Sequence, residues 1–215
     1  MSLTAQNLMD RASILLNDVS YTRWASPELL AWLNDGRRAA AVLRPDIYAE
    51  TTSHALSAGA KQSVPSDGIR LIDVSRNTNG NAVTPTEKMY LDQQNPNWPA
   101  GTQSGTIRHW MFDPRNPMFF WVWPPANSNA SLEIIYQQVV TDYGAADVLT
   151  TYEALYDNSF INYMCHRAFL KDSEVAANAE RASAYYTLFK NELEAGAQVT
   201  MTITSNSRTK AGEGR

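Results

Sequence analysis

The sequence predicts an α+β protein, mainly α. A bundle of about four helices carries a small inserted antiparallel β region and a flexible C-terminal tail. Three observations predict this. Apolar residues recur at helical spacing before Pro45 and again after Thr151, while the span between them holds eight of the ten prolines and short runs of β-branched and aromatic residues. The last stretch has no period at all. The expected division is 1–45 for an N-terminal helical pair, 46–150 for the β-rich insertion, 151–196 for a helical hairpin that completes the bundle, and 197–215 for the tail.

The first helix is expected over Thr4 to Asp18, with Leu8, Ala12, Leu15 and then Val19 on one stripe and Thr4 as its cap. After a polar break, Ser26-Pro27-Glu28 supplies an N-cap, a proline where a missing N–H is harmless, and an acid in the positive first turn. Leu29, Leu33, Gly36, Ala40 and Leu43 follow at 4-3-4-3 spacing until Pro45 ends the helix. A glycine inside a helix costs about 1 kcal/mol relative to alanine. Gly36 therefore predicts close approach by another backbone.

In the middle of the chain, prolines exclude long helices. Four runs have strand character: Ile69 to Val74, Thr106 to Phe112, Met118 to Trp123 and Leu132 to Val140. Asp113-Pro114-Arg115-Asn116-Pro117 between the second and third reads as a hairpin loop.

Helical character returns with a broad face of Tyr152, Leu155, Tyr156, Phe160, Tyr163 and Met164, expected to run to about Leu170. After a short turn at Lys171-Asp172, Val175, Ala179, Ala182, Tyr186, Phe189 and Leu193 make the longest stripe in the chain. Ser173 is its expected N-cap and Gly196 its expected left-handed stop. Nothing on the stripe except the Tyr186 hydroxyl can donate or accept, which marks this helix for contact. Beyond Gly196 the chain is expected to be extended or disordered in the free protein.

Composition narrows the function. With 44% hydrophobic residues the chain can bury a proper core, and it shows neither an apolar run long enough to span a bilayer nor a basic-then-apolar leader. The expectation is a soluble protein without a signal peptide or membrane contact. A single cysteine, Cys165, excludes an internal disulfide and a cysteine-rich zinc site. The net charge of −4 gives no footprint for wrapping nucleic acid. From Ala197 onward, however, Arg208, Lys210 and Arg215 outnumber Glu213 and make the tail basic on an acidic body.

Motifs for phosphate cradles, dinucleotide binding, zinc proteases and serine nucleophiles are missing from the sequence. His54, His109 and His166 lie in three separate segments, the ordinary pattern of core or surface histidines. Cys165 and His166 are adjacent, so on a helix they point about 100° apart and cannot work as nucleophile and base. Asp142 with Asp147, and Glu192 with Glu194, read equally well as solvated loop and helix faces. No metal, cofactor or catalytic residue is expected.

Aromatics are the denser signal. Trp98, Trp110, Trp121 and Trp123 lie close together with Phe112, Phe119 and Phe120 among them. They suit the core of a thin sheet, a subunit interface or a ligand platform. Trp110, Trp121 and Trp123, with Tyr186 and Phe189 of the long stripe, are the candidate interface residues.

Four runs taken in order resemble the phage adaptor family, the head-completion proteins that form a ring beneath the portal of tailed bacteriophages. They are RWASPELLAWLNDGRRAAAVLRPD at Arg23 to Asp46, SVPSDGIRLIDVSRN at Ser63 to Asn77, LDQQNPNW at Leu91 to Trp98, and LYDNSFINYMCHRAFLKDSEVAANAERASAYYTLF at Leu155 to Phe189. The most telling part is Lys171, Asp172, Glu174, Ala176, Asn178, Ala179, Arg181, Ala182, Tyr185 and Tyr186. The resemblance implies a helical bundle with a β-rich insertion, assembled as a ring of about twelve copies between portal and tail in the virion neck. It implies no catalytic residues. An acidic ring suits a DNA conduit, since a channel that bound phosphates tightly would hold the genome. The basic tail, through Arg208, Lys210 and Arg215, is the candidate segment for docking on the portal, ordering only when bound. The competing readings are an envelope-acting hydrolase and a carbohydrate-binding module built on the tryptophans.

Overall fold

The computed structural model describes residues 3–204. It is α+β, with helices α1 (Ala5–Leu15), α2 (Ser26–Leu43), α3 (Lys88–Gln94), α4 (Thr151–Ala154), α5 (Asp157–Lys171) and α6 (Ala176–Thr204). Seven strands lie between α2 and α4: β1 (Ala49–Ala55), β2 (Gly59–Ser63), β3 (Gly68–Asn77), β4 (Thr84–Pro85), β5 (His109–Phe112), β6 (Phe119–Ala126) and β7 (Ser131–Gln138). The chain divides into a helical unit, residues 3–47 and 140–204 of those described, and a β unit, Tyr48–Val139. Residues 140–150 go with the helices.

In the helical unit, α1 begins as the sequence predicts. Thr4 accepts from the Asn7 amide while the Asn7 side chain accepts from Thr4, a reciprocal cap. The helix stops at Leu15, short of the expected Asp18. Asp18 instead accepts from the backbone amides of Thr22, Arg23 and Trp24, at 2.7–2.9 Å, and so turns the chain towards α2. The Trp24 amide and its neighbours hold the Asp18 carboxyl below its usual range. The stripe accordingly ends early, and Val19 is exposed.

Helix α2 starts at Ser26 itself, with Ala25 rather than Ser26 in the cap position and no side-chain cap. Pro27 and Glu28 serve the first turn as expected. Leu29, Leu33, Gly36 and Ala40 are buried. Gly36 is tight for the expected reason but against a side chain: a Cβ there would meet the Tyr163 ring of α5 at 2.9 Å.

The expected single helix from Thr151 is two. Thr150 and Glu153 form a capping box for α4, the chain turns at Leu155 and Tyr156, and α5 follows. The predicted apolar face is half right, because Phe160 and Met164 are buried whereas Tyr152 and Leu155 are exposed. Helix α5 packs against α1, α2 and α6. Against α5, α6 buries Ala182, Phe189 and Leu193 from the long stripe. Val175 lies before the helix, Ser173 is in the turn, and Gly196 is inside the helix, which continues to Thr204. The expectation of an unstructured chain from Ala197 is therefore corrected as far as Thr204. Propagating an existing helix adds one hydrogen bond per ordered residue, so weak formers such as threonine and valine can continue what packed residues have nucleated.

The β unit holds two sheets rather than one. Their orders are β1-β7-β3, all antiparallel, and β2-β6-β5-β4, in which the short β4 runs parallel to β5. The predicted hairpin is β5–β6, with Phe112 opposite Phe120 and Asp113 accepting from the Arg115 amide in the loop. Pro124 and Pro125 lie inside β6, where the β2 ladder slips between Gly59 and Lys61. A proline is tolerated where pairing is already interrupted. Strands β1, β2 and β4 and helix α3 went unread in the sequence. Both sheets contribute to one core, with Leu132, Ile134 and Tyr136 of β7 facing Trp110 of β5 and Phe120 and Val122 of β6. Period-2 alternation puts each of these sets on one face of its strand.

Candidate functional site

Arg37 of α2 and Glu153 of α4 form a buried ion pair at 2.7 Å, with the two side chains 4% and 0% exposed. Arg37 also donates to the Thr141 carbonyl at 2.6 Å, and its guanidinium lies over the Tyr143 ring at 3.4 Å. The Tyr143 hydroxyl donates to the second Glu153 oxygen at 2.5 Å, and Thr150 donates to the same oxygen. Burial pushes the Glu153 carboxyl up, but the Tyr143 hydroxyl and Arg37 outweigh it and hold the group below its ordinary value. Burial and the carboxylate push the Tyr143 hydroxyl up to about 12.

Each of these atoms has its partner inside the fold. The cluster fastens residues 141–153 to α2 and has no free acid or base to offer a substrate. Sequence reasoning missed it because Arg37 and Glu153 are far apart in the chain. The Thr150 to Glu153 capping spacing was the one legible trace.

Most of the other ionisable candidates are engaged as well. Asp142 pairs with Arg38, and Asp147 accepts from the Gly144 amide. Glu192 of α6 accepts from Ser159 at 2.7 Å and Asn162 at 3.2 Å, both on α5. His54 donates to the Ser63 carbonyl, His109 bonds Thr84 at 2.6 Å and stacks on Trp123, and His166 donates to the Ala182 carbonyl. Cys165 is fully buried, and burial pushes its thiol up to about 12. No group of three or more metal-ligating side chains occurs among the described residues.

The aromatic candidates divide by strand face. Trp110 is 7% exposed and belongs to the core between the sheets. Trp121 and Trp123 point to the opposite face and pack, half-buried, around Trp98 and Met111. Trp98 sits edge-on to Trp121 at 6.0 Å, and its indole N–H donates to Asp92, which also pairs with Lys88. The tryptophans thus serve two cores rather than one open platform. Of the long-stripe candidates, Phe189 is fully buried against Tyr163, while Tyr186 is 40% exposed and leans on His166. Arg208, Lys210 and Arg215 lie outside the described residues.

What remains for outside contact is apolar surface. On the helical unit, Ile14, Leu15 and Leu188 are about half exposed or more and line one groove of about 470 Å³ with Arg11 and Asn158. Tyr152 and Leu155 form a second exposed pair. On the β unit, Met89 and Phe112 flank a groove of about 430 Å³ beside β4. No helix among the described residues is long and apolar enough to cross a membrane.

Among the described residues most buried polar groups are paired within the fold, the Trp110 indole N–H being an exception, and the apolar side chains left on the surface suit an α+β protein that makes contacts. The particular family follows from comparison with known ones: the model of the SU10 adaptor protein family matches residues 3–210. The chain belongs to that family and is a phage adaptor protein. No curated protein matches the chain.

Proposed function

We propose that this chain is the subunit of a homo-oligomeric ring of about twelve copies, placed between portal and tail in the virion neck, that extends the DNA channel. The observation that carries this reading is the family match over residues 3–210. Helices α1, α2, α5 and α6 are read as the bundle of the ring subunit. The portal lies on one side of the ring, tail or nozzle proteins on the other, and neighbouring copies beside it. Double-stranded DNA passes without sequence-specific binding, which suits a net charge of −4. The protein has no catalytic role and no cofactor in this reading, is made in the host bacterial cytoplasm, and makes no membrane contact.

Within the proposed interface, Tyr186 offers surface directly. Trp121 and Trp123 offer their half-buried edges, and Trp110 and Phe189 shape the faces from beneath. Arg208, Lys210 and Arg215 are the proposed docking residues for the portal.

Native mass and negative-stain images of the purified protein, alone and mixed with its portal, test the reading. Rings that form on the portal support it. A monomer or dimer that ignores the portal overturns it. Truncation after Thr204 tests the tail separately, since undiminished portal binding would remove Arg208, Lys210 and Arg215 from the interface.

A further inference from the structure

Helix α6 runs from Ala176 to Thr204, and Gly196 lies within it. One turn before Gly196, the Leu193 carbonyl accepts a buried hydrogen bond from Arg44 Nη1 at 2.7 Å. The same guanidinium is held by both oxygens of Asp46, at 2.8 and 2.6 Å. A Cβ on Gly196 would meet the Tyr156 hydroxyl at 2.5 Å and Arg44 Nη1 at 2.9 Å.

A carbonyl in the middle of a helix has its ladder partner one turn ahead and does not require a second donor. The last carbonyls of a helix that ends do require one. Were α6 to stop at Gly196, Leu193 would be among the residues whose carbonyls lose their ladder partners, and Arg44 already stands on that carbonyl. Gly196 would be the residue that takes up the left-handed conformation on which helices commonly end, at no steric cost from a side chain. The glycine and the cap donor are thus two parts of a helix terminus, assembled where the helix does not terminate.

We infer that Gly196 is a hinge at which α6 has two stopping points. One is Thr204. The other is Gly196 itself, with Arg44 as the ready cap and residues 197–204 released as a unit. The helix before Gly196 is fixed in both states by Phe189 and Leu193, which are fully buried. The hinge is a property of the free subunit and would stand even if no ring formed. If the ring does form, the hinge is where the chain leading to the proposed portal-docking tail changes course.

Amide hydrogen exchange on the free, full-length protein reads the two states directly. The expected result is a step at Gly196, with amides of residues 197–204 exchanging together and at least about 100-fold faster than those around Phe189 and Leu193. Protection that is continuous across Gly196, or that declines gradually towards Thr204 as in simple fraying, would overturn the hinge. A substitution tests the hinge independently. Gln198→Pro is compatible with a helix stopped at Gly196 but not with one that continues. It should leave the thermal midpoint within about 1 °C of the parent, whereas breaking an integral helix would lower it by about 6–12 °C. A drop of that size, or failure of the variant to fold, also overturns the proposal.

Discussion

In the helical unit the buried polar groups include charges: Asp18, Arg37, Arg44 and Glu153 are each less than a tenth exposed. In the β unit the buried polar residues are neutral amides, Gln62, Asn77 and Gln137. The difference follows from where each kind of element finds its backbone partners. A helix commits its interior N–H donors to its own ladder, so a neighbouring segment is held by side chains, some of them on helix carbonyls, as Arg44 and His166 are on Leu193 and Ala182. Arg37 and Glu153 therefore provide a directional link between α2 and residues 141–153, beside Asn34, which exchanges two hydrogen bonds with the Tyr143 backbone, and a buried ion pair does so only when nearly every donor and acceptor in it is met. Strands already hold one another through the ladder. Where the β3 ladder ends, a side-chain amide takes over: Asn77 donates to the Ile107 and Asn81 carbonyls and accepts from the Ile107 amide.

The largest test of this contrast is Glu153→Ala, which leaves the Arg37 guanidinium buried without its carboxylate and should cost about 3–5 kcal/mol. Urea unfolding followed by the indole NMR signals separates the units, because Trp24 and Trp32 belong to the helical unit and the other four tryptophans to the β unit. The two helical signals should be lost at lower urea while the four β-unit signals hold. Loss of all six together would show that the units unfold as one and would break the contrast. Replacing both partners, Arg37→Met with Glu153→Leu, should return part of the lost stability, since neither charge is then stranded, although Tyr143, Thr150 and the Thr141 carbonyl lose their partners.

Next in size is Asn77→Ala, which orphans the Ile107 amide and carbonyl, while the Asn81 carbonyl keeps the Asn77 backbone amide, and should cost about 2–3 kcal/mol. Here the order reverses. Trp110, which shares a core with Ile107, should report the loss while Trp24 and Trp32 do not.

The smallest effect is that of pH, and its sign differs at the two extremes. Glu153 and Asp46 have lowered folded-state pKa values, so the stability they contribute is present above the unfolded carboxylate pKa and is lost as pH falls below about 4.5. Tyr143 and Cys165 are raised to about 12. Their contribution is present below the unfolded values and is lost as pH climbs from about 9 or 10 towards 12. The Trp24 and Trp32 signals should therefore weaken first at both ends. Equal loss in the β unit would mean that buried charge is not what distinguishes the two.

The sequence by itself determined that helices stand at α1, α2, α5 and α6, the placing of the β region between them, the β5–β6 hairpin and the Thr4 cap. Each rests on periodicity or on a contact within a few residues, which is what a linear chain displays. Family membership was legible too, because several short runs matched in order. Only the tertiary structure decided the rest. Gly196 carries every local mark of a helix stop, yet it lies inside α6, because what it makes room for is Arg44 and Tyr156 from far away in the chain. Tyr152 and Leu155 fit an apolar stripe, yet they are exposed, because the turn after α4 ends the period that would have buried them. Trp110 lies on one face of its sheet and Trp121 and Trp123 on the other, because the register sets Trp110 opposite Val122 and alternation along β6 sends Val122 and its neighbours apart. Arg37 and Glu153 carry no mutual signal in the chain, since a bond between distant residues exists only once the fold has brought them together.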